Sequence, residues 1–483
     1  MPSNADKTTH VFIQIDDDSL SGSLLLDGGK TRLTVFSKEP VASLPAQIHA
    51  VDENARHISL LECINFGGGS SGSNKQRIYY CVVFPHYVAS GDFHCSIDEE
   101  VVDKISFSLT DAKALFWDHS PWRFFDSKSL ADLLDINDDE IAEIYGFVGS
   151  GTIFKSTTTF GTIAAYHRPT FTSPSVEGFS ATNNIKVEIE LSKPATIRDS
   201  ITLMYRVKQF TEICSGRLQG ISDVSIIKVG ASDDDRWTQI ALTISHAEEP
   251  ERSDDHLTGF DMLASPCIDR TAFEQLVTNW FSLEDRKRWI AFSRFSSNLK
   301  QENFYDHNRL VSAASLFEWY DTTLKVDVPS GIRELVDSAT EKLQAMPKSY
   351  EQQRLRGILG TVGSESLQSK IMRQTNDVLD ALKGVDSFDR KTCETVIAWA
   401  VKSRNKIVHG TGARKIERIL EQHLIFMTET LEVLFGIMSV HSAGWSVGKR
   451  TDGRATSFSR YSAFLRYFSH NASQLLADVA QPD

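Results

Sequence analysis

The sequence predicts an α+β chain in two parts: a β-rich first part over residues 1–265, built as an antiparallel sandwich or barrel, and an all-helical second part over 266–483. Three observations carry this. Apolar residues in the first part recur at every second position, as Ile185, Val187, Ile189 and Leu191 do between Lys186, Glu188 and Glu190, giving a strand one buried and one wet face. Near residue 266 the period lengthens, and Phe273, Leu276, Val277, Trp280 and Phe281 fall at i, i+3, i+4, i+7 and i+8, one face of a helix. A chain of 483 residues also exceeds one ordinary core, since domains hold roughly 100–200 residues.

In chain order, the runs IYYCVVF at 78–84 and VSIIKV at 224–229, and the alternating Ile105, Phe107 and Leu109, lie between clusters of Gly, Ser, Asn and Asp. That pattern reads as short antiparallel strands. SLADLLDI at 129–136 reads as an intruding helix. NFGGGSSGSNK at 65–75 reads as a flexible hairpin loop, because a P-loop needs Lys directly after its last Gly and Gly72 is followed by Ser73 and Asn74. GILGTVGSES at 357–366 lies between helical stretches, where a dinucleotide fingerprint would follow a strand. Helices are predicted at 270–282, 284–299, 303–323, 331–345, 348–359, 366–383, 389–408 and 413–438, with turn residues at 329–331 and 410–412.

Composition narrows the classes. With 41% hydrophobic and 24% charged residues the chain should be globular, and no uninterrupted apolar run approaches the ~20 residues of a membrane span. The N-terminal MPSNADKTTHVFIQIDDDSL lacks a basic region followed by an apolar run, so a cytoplasmic location without membrane contact is expected. The six cysteines are scattered. Cys81, His86, His94 and Cys95 hold the right atoms for zinc, but their spacing fits no common finger. Buried thiols and surface histidines are the expectation, with no metal or other cofactor. The net charge of −13 is uneven: residues from Tyr305 onward carry 23 Lys+Arg against 21 Asp+Glu, so the first 304 hold the acidic excess. Any polyanion contact therefore belongs in the second half.

AVKSRNKIVHG, 400–410, is the stretch that carries chemistry. Ile397, Val401, Asn405 and His409 form one helical ridge and Val396, Ala400, Arg404 and Val408 the ridge beside it. Both begin apolar and turn polar. Winding alone leaves Arg404 about 140° from His409 around the axis. They converge if the helix ends near His409, as Gly410 suggests, or if a second copy faces the first across a two-fold axis.

Arg404-Asn405-Lys406-Ile407-Val408-His409 resembles the R-x4-H motif, with Asn after Arg, of the HEPN superfamily of ribonucleases. The preceding NRLVSAASLFEWYDTTL, 308–324, is similar to that family's first helix, with Glu318 at its frequent acidic position. Upstream, GSLLLDGGKTRLTVF, VVDKISFSLTDAKALF and IKVEIELSKPATIRDSITLMYRVKQF look like the N-terminal domain of ApeA-type abortive-infection proteins. The resemblance implies a dimeric, metal-independent endoribonuclease of anti-phage defence. Its N-terminal part would sense a phage-derived trigger or restrain the nuclease. The ribose 2′-hydroxyl would attack, leaving a 2′,3′-cyclic phosphate, with tRNA among the candidate substrates. Arg404, His409 and Asn405 are the implied catalytic residues, and Glu318 a supporting one that holds Arg404.

These side chains suit that chemistry. An imidazole, with an ordinary pKa near ~6.5, exchanges protons at neutral pH, and a guanidinium offers paired donors to phosphorane oxygens. Lys402, Lys406, Arg414, Lys415 and Arg418 form an expected RNA-binding rim: with Arg404 they oppose Glu417 alone, +5 in seventeen residues. A second mixture, 444–468, interleaves Trp445, Phe458, Tyr461 and Phe464 with Lys449, Arg450, Arg454, Arg460 and Arg466. It suits base stacking or core packing. The bland alternative makes His409 a helix-end residue favoured by the dipole and the protein a non-catalytic dimer whose β part binds a viral protein, peptide or glycan.

Overall fold

The computed structural model describes residues 7–15, 18–41, 43–73, 76–116, 122–125, 144–147, 151–172, 180–228, 238–245, 257–283, 286–321, 324–325, 327–383, 385, 388–410, 413–447, 455–456 and 458–482. Several expectations fall outside them: the helix at 129–136, the turn residues 411–412, Asn74 and Lys75 of the glycine-rich stretch, Val229, and Lys449, Arg450 and Arg454.

Alternation along the first strands closes a barrel. β1 (Lys7–Ile15), β2 (Asp18–Leu26), β3 (Arg32–Ser37), β4 (Ile48–Asp52), β5 (His57–Ser73) and β6 (Gln76–Gly91) pair antiparallel in the cyclic order β6-β3-β2-β1-β4-β5 and back to β6. Every second side chain, Val11, Ile13, Leu33, Val35, Ile48, Leu60 and Val83 among them, fills the interior. β6 is long enough to serve two sheets. Its Tyr79–Val83 stretch pairs with β3, whereas Tyr87–Gly91 pairs with the last strand of an open sheet.

That sheet is formed by β7 (Glu100–Leu109), β10 (Thr152–Thr158), β11 (Gly161–Phe171), β12 (Ala181–Thr196), β13 (Ile221–Lys228) and β14 (Thr238–Ile244), in the order β10-β11-β12-β7-β13-β14-β6. β8 (Trp122–Phe125) and β9 (Ile144–Phe147) pair separately, and α1 (Ala112–Leu115) is a single turn. The open sheet is covered by α2 (Ile197–Ser215), which starts at the Thr196 cap and buries Ile201, Met204, Phe210 and Ile213. α3 (Arg270–Ser282) joins it through Phe273, whose ring meets those of Phe154, Phe116 and Phe210. The period-two reading thus yields a closed barrel continued into an open sheet.

NFGGGSSGS, residues 65–73 of the stretch, is not a loop; Asn74 and Lys75 lie outside the described residues. Gly67–Ser73 continue β5, paired to Val82–Gln76, after a bulge at Asn65/Gly67. Gly68 is required there, because a Cβ would lie 2.3 Å from the Tyr80 carbonyl oxygen.

The described residues up to Leu283, with Ala443–Trp445, Ala455, Thr456 and Phe458, form one compact unit; those from Arg286 to Ser442, with Ser446 and Val447 and from Ser459 on, form a second. The second unit is helical: α4 (Arg286–Leu299), α5 (His307–Tyr320), α6 (Ser330–Ala345), α7 (Tyr350–Thr361), α8 (Leu367–Ala381), α9 (Arg390–His409), α10 (Arg414–Ser442) and α11 (Arg460–Ala480). The helices expected between 270 and 438 are all present, and α11 adds one that the apolar period had not singled out. Phe435 of α10 sits at the centre, with the rings of Phe292, Phe295, Phe317 and Tyr320 around it at 5.6–6.2 Å. α10 is long and apolar enough to cross a membrane, yet most of its apolar stretch is buried inside the unit, as befits a core helix. It kinks at His423, whose Nε2 lies 2.8 Å from Asp478 Oδ2.

Candidate functional site

α9 begins at Asp389, whose carboxylate accepts from the Thr392 N–H at 2.7 Å, a standard N-cap. Val396, Ile397, Ala400 and Val401 are buried. The last turn and a half leaves the core, so the ridges turn polar where they surface: Asn405, Val408 and His409 are exposed. Gly410, at φ +68°, ends the helix, and its N–H donates to the Lys406 carbonyl at 2.8 Å. Only a residue tolerant of left-handed backbone closes a helix in this way.

Arg404 lies at the boundary between core and surface, its side chain 16% exposed. Its Nη2 donates to Glu318 Oε1 at 3.1 Å and its Nη1 to Asn405 Oδ1 at 3.2 Å. Nε is buried and has no partner among the described residues. Three of the four expected site residues are thereby brought together. His409 is not joined to them by any hydrogen bond among the described residues.

Glu318 sits near the end of α5, and that end is clamped. Lys370 Nζ donates to the carbonyls of Glu318 (3.0 Å) and Asp321 (2.6 Å), satisfying helix-end acceptors with a cation where the helix dipole favours one. Burial lowers the Lys370 pKa. Arg373 bonds Asp321 Oδ2 at 3.0 Å and both oxygens of Glu365 at 2.9 and 3.0 Å, which holds the Glu365 carboxyl below its ordinary range. Lys370 and Arg373 escaped the sequence reading, because Glu318 and Asp321 lie some fifty residues away along the chain and nothing local announces the pairing.

The basic rim divides. Lys402 Nζ stands 4.7 Å from the centre of the Trp399 ring, Lys406 is partly buried and Arg414 is exposed. Lys415 and Arg418 instead turn to the end of α11: Lys415 Nζ donates to Gln481 O at 2.8 Å, and Arg418 donates to Asp478 O and Pro482 O, each at 3.3 Å. In the second mixture Trp445, Tyr461 and Phe464 are core residues, unavailable to bases, and Phe458 is exposed. Lys449, Arg450 and Arg454 lie outside the described residues.

Arg460 has another use. With Arg309 it grips Glu432, which is fully buried: Arg309 Nε and Nη2 donate at 3.0 Å each, Asn298 Nδ2 at 2.9 Å, and Arg460 Nη2 also donates. Burial alone would raise the Glu432 pKa; Arg460 and Arg309 outweigh it and hold the carboxyl below its ordinary range. A lone Glu inside the apolar run LEVLFGIM was the available signal. The triad ties α5 to α10 and α11.

Among the described residues no group of three or more His, Cys, Asp or Glu is placed to hold a metal ion. Cys81 faces the barrel core, His86 lies 3.5 Å from Glu62, and Cys95 is buried. Burial pushes the Cys95 thiol up to about 11 and that of Cys63 to about 12, far from thiolate chemistry.

A family model described as ApeA N-terminal domain 1 matches residues 10–280, more than half of the chain. No curated protein and no solved structure matches it.

Proposed function

This chain belongs to the ApeA family of anti-phage defence proteins, and from that premise we propose that its helical unit is a HEPN-type endoribonuclease acting in the cytoplasm. The observation that carries the reading is the end of α9. There a half-buried arginine is held by Glu318 and Asn405, one and a half turns before an exposed histidine. Arg404 would stabilise charge on the phosphorane. His409 would act as general acid or base on the 2′-hydroxyl or the leaving oxygen. Asn405 would orient the guanidinium, and Glu318 would position it without carrying a proton.

Arg404 and His409 face different ways on one helix, so the cleft is completed by a second copy. Val408 of α9 and Ile425 of α10 are exposed apolar side chains that such a dimer would cover. The N-terminal unit would sense a phage-derived trigger, and RNA, tRNA among the candidates, would be the substrate.

The test is sequencing of RNA 3′ ends in cells after induction, beside the His409→Ala and Arg404→Ala variants. The wild type should leave 2′,3′-cyclic phosphate ends, and each variant should lose cleavage by ~10²–10⁴-fold while remaining folded. Purified protein should cut in EDTA, since neither residue's role calls on a metal, and should spare a 2′-deoxy scissile position. If wild type and both variants prove equally toxic with no RNA cut, the non-catalytic interaction protein replaces this reading.

A further inference from the structure

β5 outruns its neighbour. β4 pairs only with His57–Leu60 of β5, the Cys63 N–H donates to Ala46 O, and the Asn65 side chain bonds both the N–H and the carbonyl of Leu44. From Phe66 to Ser73 the strand is paired to β6 alone. Among the described residues nothing covers its other edge. Eight residues of strand span about 26 Å of unpaired N–H and C=O groups.

Proteins usually protect such an edge with charge, proline or a cover. This one carries Gly67, Gly68, Gly69, Ser70, Ser71, Gly72 and Ser73, so no bulky side chain keeps another backbone away. Its surroundings are adhesive. Phe66 is 77% exposed, Ile78 is exposed beside Ser71, and Tyr80 lies opposite Gly69 with its hydroxyl 2.6 Å from where a Cβ would stand. The chemistry of the stretch is also one-sided. From Cys63 to Gly91 the sequence holds Lys75 and Arg77 and no Asp or Glu, within a half of the chain that is otherwise acidic. Arg77 is exposed near the hairpin tip.

We propose that the Phe66–Ser73 edge of β5 receives an extended segment of another protein as an added β-strand, with apolar residues alternating with carboxylates. Backbone pairing supplies the affinity in this mode of recognition, and alternate side chains supply the choice of partner. Apolar side chains would lie on Phe66, Ile78 and Tyr80, and carboxylates toward Arg77. The proposal names the docking surface of the sensing unit and rests on the sensor reading for its biological role, but not for the binding itself.

The experiment is amide hydrogen exchange by mass spectrometry on the full-length chain, with a synthetic nine-residue peptide alternating Val with Glu as probe. Two controls accompany it: the same peptide N-methylated at every second residue, and one with Lys for Glu. At ten times its Kd the first peptide should slow exchange across residues 66–73 about tenfold. The N-methylated peptide should give no protection, and the Lys peptide less than the Glu peptide. Ser71→Lys and Ile78→Ser should each weaken binding while exchange elsewhere in the barrel stays at the wild-type rate. Either of these outcomes overturns the proposal: protection equal with the N-methylated peptide, or none with any peptide at millimolar concentration. Protection that appears without peptide as protein concentration rises also overturns it, since a second copy would then occupy the edge. RNA cleavage is not read here, so failure of the nuclease assignment leaves the result intact.

Discussion

Replacing Glu432 by Gln should cost the helical unit ~3–5 kcal/mol, the range for breaking a buried ion pair by removing one partner. The carboxylate is fully buried and accepts from Arg309 twice, from Asn298 and from Arg460. Gln keeps the shape, but its NH2 would point at guanidinium donors, and two cations would share the interior without a counter-charge. Because the native carboxyl titrates below its ordinary value of 4.5, it is ionised at pH 7 and the whole penalty applies there. The contribution is lost only as pH falls through the lowered native pKa. With a denaturant slope of roughly 2–3 kcal/mol/M, the urea midpoint of the helical transition should drop by about 1–2.5 M. Replacing all three charges together, Arg309→Met, Glu432→Leu and Arg460→Met, should recover much of the loss, since the desolvation cost goes with them. A Glu432→Gln midpoint within about 0.2 M of wild type would refute the claim that the triad fastens α5 to α10.

Arg404→Lys should fold normally yet cleave RNA at least ~10²-fold more slowly, because an ammonium lacks the fork that spans Glu318 and a phosphate; rates within threefold would remove the guanidinium from the mechanism. Glu318→Gln should keep measurable cleavage and lose less than ~1 kcal/mol of stability, the pair being 38% exposed on the Glu318 side and screened by water. Lys402→Ala, Lys406→Ala and Arg414→Ala should each flatten the salt dependence of RNA binding by ~0.7 in log–log slope, whereas Lys415→Ala and Arg418→Ala should change stability and leave that slope alone. The barrel should weaken in acid. Burial lowers the pKa of His49 and of His94, and for His94 the neighbouring His49 and His57 lower it further. Their contribution is therefore complete above the ordinary value of 6.5 and is lost as pH falls through the depressed native values. Urea midpoints at pH 7.5 and 5.0 should differ less in His94→Asn than in wild type.

The sequence made the helices legible, including α3 of the first unit, because burial along a helix writes itself at a period of 3.6. Phe273, Leu276, Val277, Trp280 and Phe281 were an unambiguous stripe, and all five are buried. The β half was legible in kind and not in closure. Alternation says that one face of a strand is covered, and both a sandwich and a barrel satisfy that. Closure depends on β5 reaching both β4 and β6, which no local pattern encodes. The glycine-rich stretch misled for a related reason: glycine signals turns through its freedom at positive φ, but Gly68 is there because the Tyr80 carbonyl lies where its Cβ would go. At the site, the residues on one helix were readable from spacing. The Glu318 partnership was readable only through the family likeness. The clamp of Lys370 and Arg373, and the burial of Tyr461 and Phe464, depend on helices packed from distant parts of the chain.

The bland account of α9 makes His409 a cap, drawn to the helix end by the dipole. A capping side chain satisfies carbonyls that the last turn leaves open. Here the Gly410 N–H performs that task on Lys406 O, and the His409 ring is exposed with no hydrogen-bond partner among the described residues. The two accounts then differ in where the loss falls. As a cap, His409→Ala would lower stability by up to ~2 kcal/mol and slow RNA cleavage only in proportion to the protein unfolded. As a general acid or base, it would leave the urea midpoint where it was and remove the rate. Arg404 sharpens the contrast, because a cation with a buried Nε and one partly exposed carboxylate partner is a poor investment in stability and a well-placed one for a passing phosphate.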